Sequence, residues 1–175
     1  TYGPHLALLY GKEDILVKLP NQNHEFLDGE IPYKLNPGGP NHEELTSLIG
    51  IAEYFEKLYD HHFGDEEKTF QKKIDKLNKI IAKHEEKIAN PLLDYIISRD
   101  DFNLIGKTKI ANRDRAPTVS ITVKNKTSKE VSSILVRNNI ATRNDNFYAW
   151  RCLKALGIDT NDGVVRLSMT HYNSK

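Results

Sequence analysis

The chain has 175 residues, 38% of them hydrophobic and 28% charged, proportions that suit a globular protein with a real core. Lys and Arg number 25 against 24 Asp and Glu, a net charge of +1, so no global field recruits nucleic acid or an anionic membrane surface. A single cysteine, Cys152, excludes an internal disulfide framework and suits a reducing cytoplasm, and there is neither an apolar run of membrane-spanning length nor a signal-peptide pattern.

In chain order, "PHLALLYGK" is a short apolar run bounded by Pro4 and Gly11, and it reads as a buried strand. "DILVKL" behind it reads as a second short strand. Residues 20–40 carry Pro20, Pro32, Pro37 and Pro40 with Gly29, Gly38 and Gly39, the composition of a long structured loop. Loops of that length in a compact chain are usually functional or interfacial. The loop ends in a turn, Pro37-Gly38-Gly39-Pro40, that runs straight into a helix. Leu45, Leu48, Ile49, Ala52, Phe55 and Leu58 recur at three- and four-residue spacing, and Ile51, Tyr54 and Tyr59 broaden that face. Asn41 is a natural N-cap, with Glu44 three positions on to complete a capping-box-like pair.

A second, highly charged helix follows "DHHFGD". Phe70, Ile74, Leu77, Ile80 or Ile81, His84 and Ile88 mark its narrow apolar stripe, and Pro91 is expected to kink or restart it near Asn90. From residue 102 the pattern alternates. "FNLIGK" and "TVSITV" read as strands, "TSKEVSSILVRNN" as a helix capped by Thr127, and "IATR" as a brief strand. "NFYAWRCLKALG" reads as a helix ended by Gly157, and "GVVRLSM" as the last strand. This is a small sheet with helices on one face, an α/β arrangement.

Several residues invite chemistry. Glycines ahead of a helix can present N–H groups to an anion, yet Glu43 and Glu44 in the first turn repel one, so Gly38 and Gly39 are either a corner or an anion site. Arg166 lies inside an apolar strand and needs a carboxylate, supplied by the protein or by a substrate; Arg143 ends another strand. The seven histidines include no HExxH and no spaced Cys/His set, so no metal site is expected. His5 and His171 flank apolar strand ends and read equally as structural or functional. Cys152 sits in a helix as half-buried packing, and the Asn125-Lys126-Thr127 sequon reads as chance.

Three blocks taken together, "YGPHLALLYGK", "KLNPGGPNHEELTSLIGIAEYF" and "PTVSITV…NNIATRNDNFYAWRCLKALG…DGVVRLSMTHYN", resemble the class V aminotransferase family in its cysteine-desulfurase-like branch. The resemblance implies the type I fold of pyridoxal 5'-phosphate (PLP) enzymes, a homodimer with active sites at the subunit interface, and an amino acid as substrate. It makes residues 1–62 the end of the large cofactor domain with an interdomain helix, and residues 63–175 the small C-terminal α/β domain. In relatives the Schiff-base lysine comes just before the segment matching "TYGPH". A lysine upstream of Thr1 is therefore expected, no catalytic residue is expected within this chain, and the chain reads as an inactive C-terminal piece of a longer enzyme.

By the same resemblance Arg166 grips the substrate carboxylate, and Arg143 contacts substrate or phosphate. The backbone at Gly38 and Gly39 reaches the cofactor phosphate of the neighbouring subunit, with Gly39 where many relatives have threonine. His5 joins them as a cofactor-side residue. Aligned on Arg143 and Ala149, Tyr148 stands where cysteine desulfurases carry their nucleophilic cysteine, which argues against a persulfide at that position. The rival reading is a non-catalytic α/β interaction domain whose charged helical arm, residues 66–97, binds a protein.

Overall fold

A computed structural model describes residues 5–36, 38–64, 66–111 and 114–174. The chain divides into two compact units, Thr1–Leu77 and Asn78–Lys175, and the division falls inside a long helix.

The first unit contains the short helix α1 (Glu13–Leu16), two 3-10 turns at Glu25–Leu27 and Ile31–Tyr33, the helix α2 (His42–Phe63), and the start of α3 (Phe70–Ile97). Both strands expected at its N-terminal end are absent from the described residues. Residues 5–12 form no ladder, and Leu8, Leu9 and Tyr10 are 72%, 76% and 86% exposed. A strand needs a partner to satisfy its backbone, and none lies beside this run among the described residues. "DILVKL" turns into α1 because its C-terminal carbonyls find a distant cap. The Lys34 ammonium, on a residue only 8% exposed, donates to the carbonyls of Val17 at 2.9 Å and Leu19 at 3.0 Å. That single side chain satisfies orphan acceptors that a strand would have paired in a sheet.

The long loop is braced in the same way, by Asn23 Nδ2 donating to the carbonyls of Tyr33 (2.9 Å) and Asn36 (2.6 Å). At the start of α2, Asn41 Oδ1 accepts the Glu44 N–H at 3.0 Å, the expected N-cap. Of the expected apolar face, Leu45, Leu48, Ala52, Phe55 and Leu58 are half-buried, while Ile49 is exposed. Tyr59 is the fully buried α2 residue, its ring 5.0 Å from that of Phe63 and under the ammoniums of Lys73 and Lys76.

The second unit holds the rest of α3, then β1 (Phe102–Ile105), β2 (Thr118–Val123), α4 (Ser128–Arg137), β3 (Arg143–Asp145), α5 (Trp150–Ala155) and β4 (Val164–Ser168). The four strands lie in the order β1-β2-β4-β3, every neighbouring pair antiparallel. β2 and β3 are thus parallel with β4 inserted between them, a split crossover through α4. Strand alternation sorts the sheet into two faces. Val119, Ile121, Val165 and Leu167 join Ala89, Leu93 and Ile96 of α3 and Val131 of α4 in the core. Ser120, Arg166 and Arg143 fall on the opposite face in direct register.

Pro91 does not stop α3, which runs unbroken from Phe70 to Ile97. The preceding residue is braced instead: Asn90 Oδ1 accepts the Ile110 N–H at 2.9 Å and Asn90 Nδ2 donates to the Ile110 carbonyl at 3.1 Å. Ile110 is 4% exposed, so truncating its brace strands a buried donor and acceptor. Asn90→Ala is expected to cost about 2 kcal/mol of unfolding free energy, read from the urea midpoint. An unchanged midpoint would show that solvent replaces the brace.

At α4 the Thr127 hydroxyl accepts the Glu130 N–H and the Glu130 carboxylate accepts the Thr127 N–H at 2.7 Å, a full capping box. The Thr127 N–H and then its hydroxyl hold the Glu130 carboxyl below its ordinary pKa. β3 begins only at the last residue of "IATR", Arg143, and α5 begins at Trp150, four residues later than the expected helix. Residues 146–149 form a turn in between, and Gly157, at φ +71°, closes the element as expected.

Candidate functional site

β3 and β4 are so short and so placed that they set Arg143 directly opposite Arg166. Like charges opposed across an antiparallel pair repel and destabilise the sheet. Neither arginine has an ion-pair partner among the described residues, so the carboxylate expected for Arg166 is not an Asp or Glu described in this protein. Arg166 is not enclosed in the apolar core either. It lies half-buried on the polar face, its Nε is buried with no hydrogen-bond partner, and its guanidinium carbon stands 4.1 Å from the centroid of the Phe147 ring.

A cleft of about 750 Å³ opens beside the two arginines, bounded by residues 142–148, Trp150 and Arg166. Its one acidic wall residue, Asp145, is engaged locally, with Oδ1 accepting the Asn146 N–H at 2.6 Å. The cleft therefore presents two guanidinium groups and one carboxylate, which accepts a hydrogen bond from its neighbour's N–H. β3 is anchored from behind. Asn144 Nδ2 donates to Ser128 Oγ at 3.2 Å, Ser128 Oγ donates to the Asp162 carbonyl at 2.6 Å, and the Ser128 N–H reaches the Asp162 carboxylate at 2.9 Å. Thr142 is tied to Ser132 of α4 by a hydroxyl pair at 3.1 Å.

The turn after β3 shapes the opposite wall. Phe147 and Tyr148 both adopt left-handed backbone, φ +51° and +60°, uncommon for bulky residues. Asn146 Oδ1 accepts the Tyr148 N–H at 3.0 Å, and the Asn146 carbonyl accepts the Ala149 N–H at 2.8 Å. Tyr148 is fully exposed at the tip of this turn. Cys152 is exposed on α5 rather than half-buried, and among the described residues no cluster of His, Cys, Asp and Glu is spaced to hold a metal ion. Among them, too, no helix is long and apolar enough to cross a membrane.

Arg143 and Arg166 are thus brought together. Gly38, Gly39 and His5 belong to the first unit, where all three are exposed, and Pro37 of their turn lies outside the described residues. No heavy atom lies within 4 Å of a Cβ added at Gly38 or Gly39, so their backbone is open to approach. Phe147 and Asn146 are the site residues that the sequence reading missed. The Asp145-Asn146 pair is a turn signal that could have separated them from the α5 helix.

Comparisons with known proteins agree with this architecture. The family model for aminotransferase class-V matches residues 70–175, more than half of the chain and including the whole cleft. The aminotransferase-like protein FGM3 of Gibberella zeae is 30% identical over 176 residues, which take in 99% of this chain and 40% of that protein. The chain thus spans well under half the length of this curated relative. The apo structure of cysteine desulfurase from Thermococcus onnurineus NA1 matches with a TM-score of 0.57 at 23% identity, over 82% of this chain and 30% of that one. The cysteine desulfurase CsdA of Escherichia coli matches with a TM-score of 0.53 at 18% identity, over 82% and 29% respectively. The chain shares part of the fold of these cysteine desulfurases, and it belongs to the class V aminotransferase family.

Proposed function

We propose that this chain forms part of a PLP-dependent enzyme acting on an amino acid, with the cleft at Arg143 and Arg166 receiving the substrate carboxylate. The observation that carries the reading is the pair of arginines set in register without an acidic partner among the described residues, one of them with a buried, unpaired Nε. A guanidinium fork accepts a carboxylate through two parallel hydrogen bonds and so fixes the orientation of the amino acid as well as its position. Arg143 adds a second positive charge, so that with Asp145 the cleft wall carries a net charge that favours an anion. Tyr148, at the tip of the turn, and Trp150, just after it, line the cleft beside the bound amino acid.

PLP, when bound, supplies an electron sink for the bond-breaking step at the amino acid's α-carbon. The exposed backbone at Gly38 and Gly39 fits a phosphate of that cofactor, in keeping with a role toward a second copy of the protein, and His5 is assigned to the same side. Glu43 and Glu44 then serve the first turn of α2 while the glycine N–H groups face the anion. In this reading residues 1–62 close the cofactor domain and residues 63–175 form the small domain. The lysine that holds the cofactor lies upstream of Thr1. Tyr148 offers no thiol to accept sulfur, which favours transamination or elimination over sulfur transfer at that position.

The test uses the complete protein loaded with PLP. Addition of its amino-acid substrate is expected to change the cofactor's visible absorbance, while the 175-residue chain alone gives no such change. Silence of the complete protein towards all the common amino acids would overturn the assignment, and turnover by the chain alone would overturn the placement of the lysine.

A further inference from the structure

We propose that Phe147 is a positioning residue for Arg166, holding its guanidinium in place for an incoming carboxylate before any ligand arrives. The proposal rests on the reading of Arg166 as the carboxylate site and extends it to a residue with no polar atom of its own.

Three observations converge on Phe147. The guanidinium carbon of Arg166 lies 4.1 Å from the ring centroid, well inside the range in which an aromatic face attracts a cation. The Arg166 Nε is buried and makes no hydrogen bond, so no polar contact in the described residues fixes that part of the side chain. The ring is therefore the contact that restrains the fork. Finally, Phe147 sits at φ +51°, where a glycine or asparagine is the comfortable choice. A bulky residue kept in such a conformation marks a place where the side chain matters more than local strain.

The rest of the turn is built to hold that conformation. Asn146 accepts the Tyr148 N–H through its side chain and the Ala149 N–H through its carbonyl. Its Nδ2 donates to the Thr160 carbonyl at 3.4 Å, tying the turn to the segment before β4. With the backbone pinned at both ends, the ring stays beside Arg166. An arginine loses much rotamer freedom when it binds a ligand, and a fork already stacked on a ring has less left to lose.

Phe147→Gly separates positioning from folding, because glycine adopts φ +51° without strain while removing the ring. In the 175-residue chain, with acetate as the probe and the backbone amide resonances of the cleft residues Asn144 and Tyr148 as the readout, Phe147→Gly is expected to weaken binding about 10-fold. Its thermal midpoint is expected to stay level or rise, and the ring-current shift of the Arg166 side chain disappears. Phe147→Tyr, which keeps an aromatic face, is expected to restore both binding and shift. Acetate binding that is lost in Arg166→Ala but unchanged in Phe147→Gly overturns the positioning role alone. Acetate binding that is unchanged in Arg166→Ala overturns the carboxylate reading beneath it.

Discussion

Replacing Arg166 with alanine is expected to raise KM for the amino-acid substrate about 100-fold in the complete, PLP-loaded protein, with the bound cofactor undiminished. The magnitude follows from losing two charge-assisted hydrogen bonds, each worth about 1.5–3 kcal/mol, offset in part by the water that replaces them. Arg166→Lys keeps the charge but not the planar fork, and an intermediate loss of about 10-fold is expected. The same substitutions carry an opposite signature in stability. Arg166 faces Arg143 across the ladder and holds a buried Nε without a partner, so removing it relieves repulsion and an unmet donor. Arg166→Met, which keeps most of the aliphatic stem, is therefore expected to unfold at an equal or higher urea concentration than the parent protein. A residue whose removal costs binding and spares stability is held in place for its ligand. If Arg166→Ala released the cofactor instead, the arginine would belong to the cofactor and not to the substrate carboxylate.

How much of this was open to a reader of the sequence depends on how local the deciding contact is. Asn41 and Thr127 both cap their helices as expected, each accepting the N–H three residues on. The reciprocal carboxylate bond completes the box at Thr127 with Glu130 but not at Asn41 with Glu44. "TVSITV" alternates with period two and becomes β2 with Val119 and Ile121 in the core. The failures lie where a distant residue decides. "DILVKL" has the composition of a strand, yet Lys34 reaches it from far along the chain and caps it as a helix. Pro91 reads as a kink or restart, yet α3 does not restart there, and Asn90 beside it is pinned by the Ile110 backbone. Arg143 and Arg166 were each visible as candidates, but only the β3–β4 register sets them opposite one another. For Phe147 the Asp145-Asn146 pair signals a turn, but nothing local signals a left-handed phenylalanine stacked on Arg166, which propensity argues against.

Gly163→Ala is expected to be the most disruptive single substitution in the second unit, lowering unfolding free energy by at least ~3 kcal/mol. Gly163 precedes β4 at φ +75°, and a Cβ there would run into the backbone carbonyl carbon and oxygen of Asp145 and sit 2.7 Å from the Asn146 nitrogen. Those atoms are main chain at the end of β3, so no rotamer change relieves the clash. Gly157→Ala supplies the control, because Gly157 has a nearly equal φ of +71° but nothing within 4 Å of an added Cβ. That variant bears only the conformational cost of a left-handed alanine, about 1 kcal/mol. The difference between the two urea midpoints isolates the close approach of β3 to the start of β4. Equal midpoints would mean that the Asp145 backbone can retreat freely. The clash also has a functional reach: pushing Asp145 and Asn146 away shifts the turn that carries Phe147 beside Arg166, and with it the wall of the cleft. Gly163→Ala protein that remains folded at low temperature is accordingly expected to bind acetate more weakly than Gly157→Ala protein under the same conditions. Because no side chain at position 163 touches the ligand site, a loss there would show that the β3–β4 approach sets the geometry of the carboxylate fork.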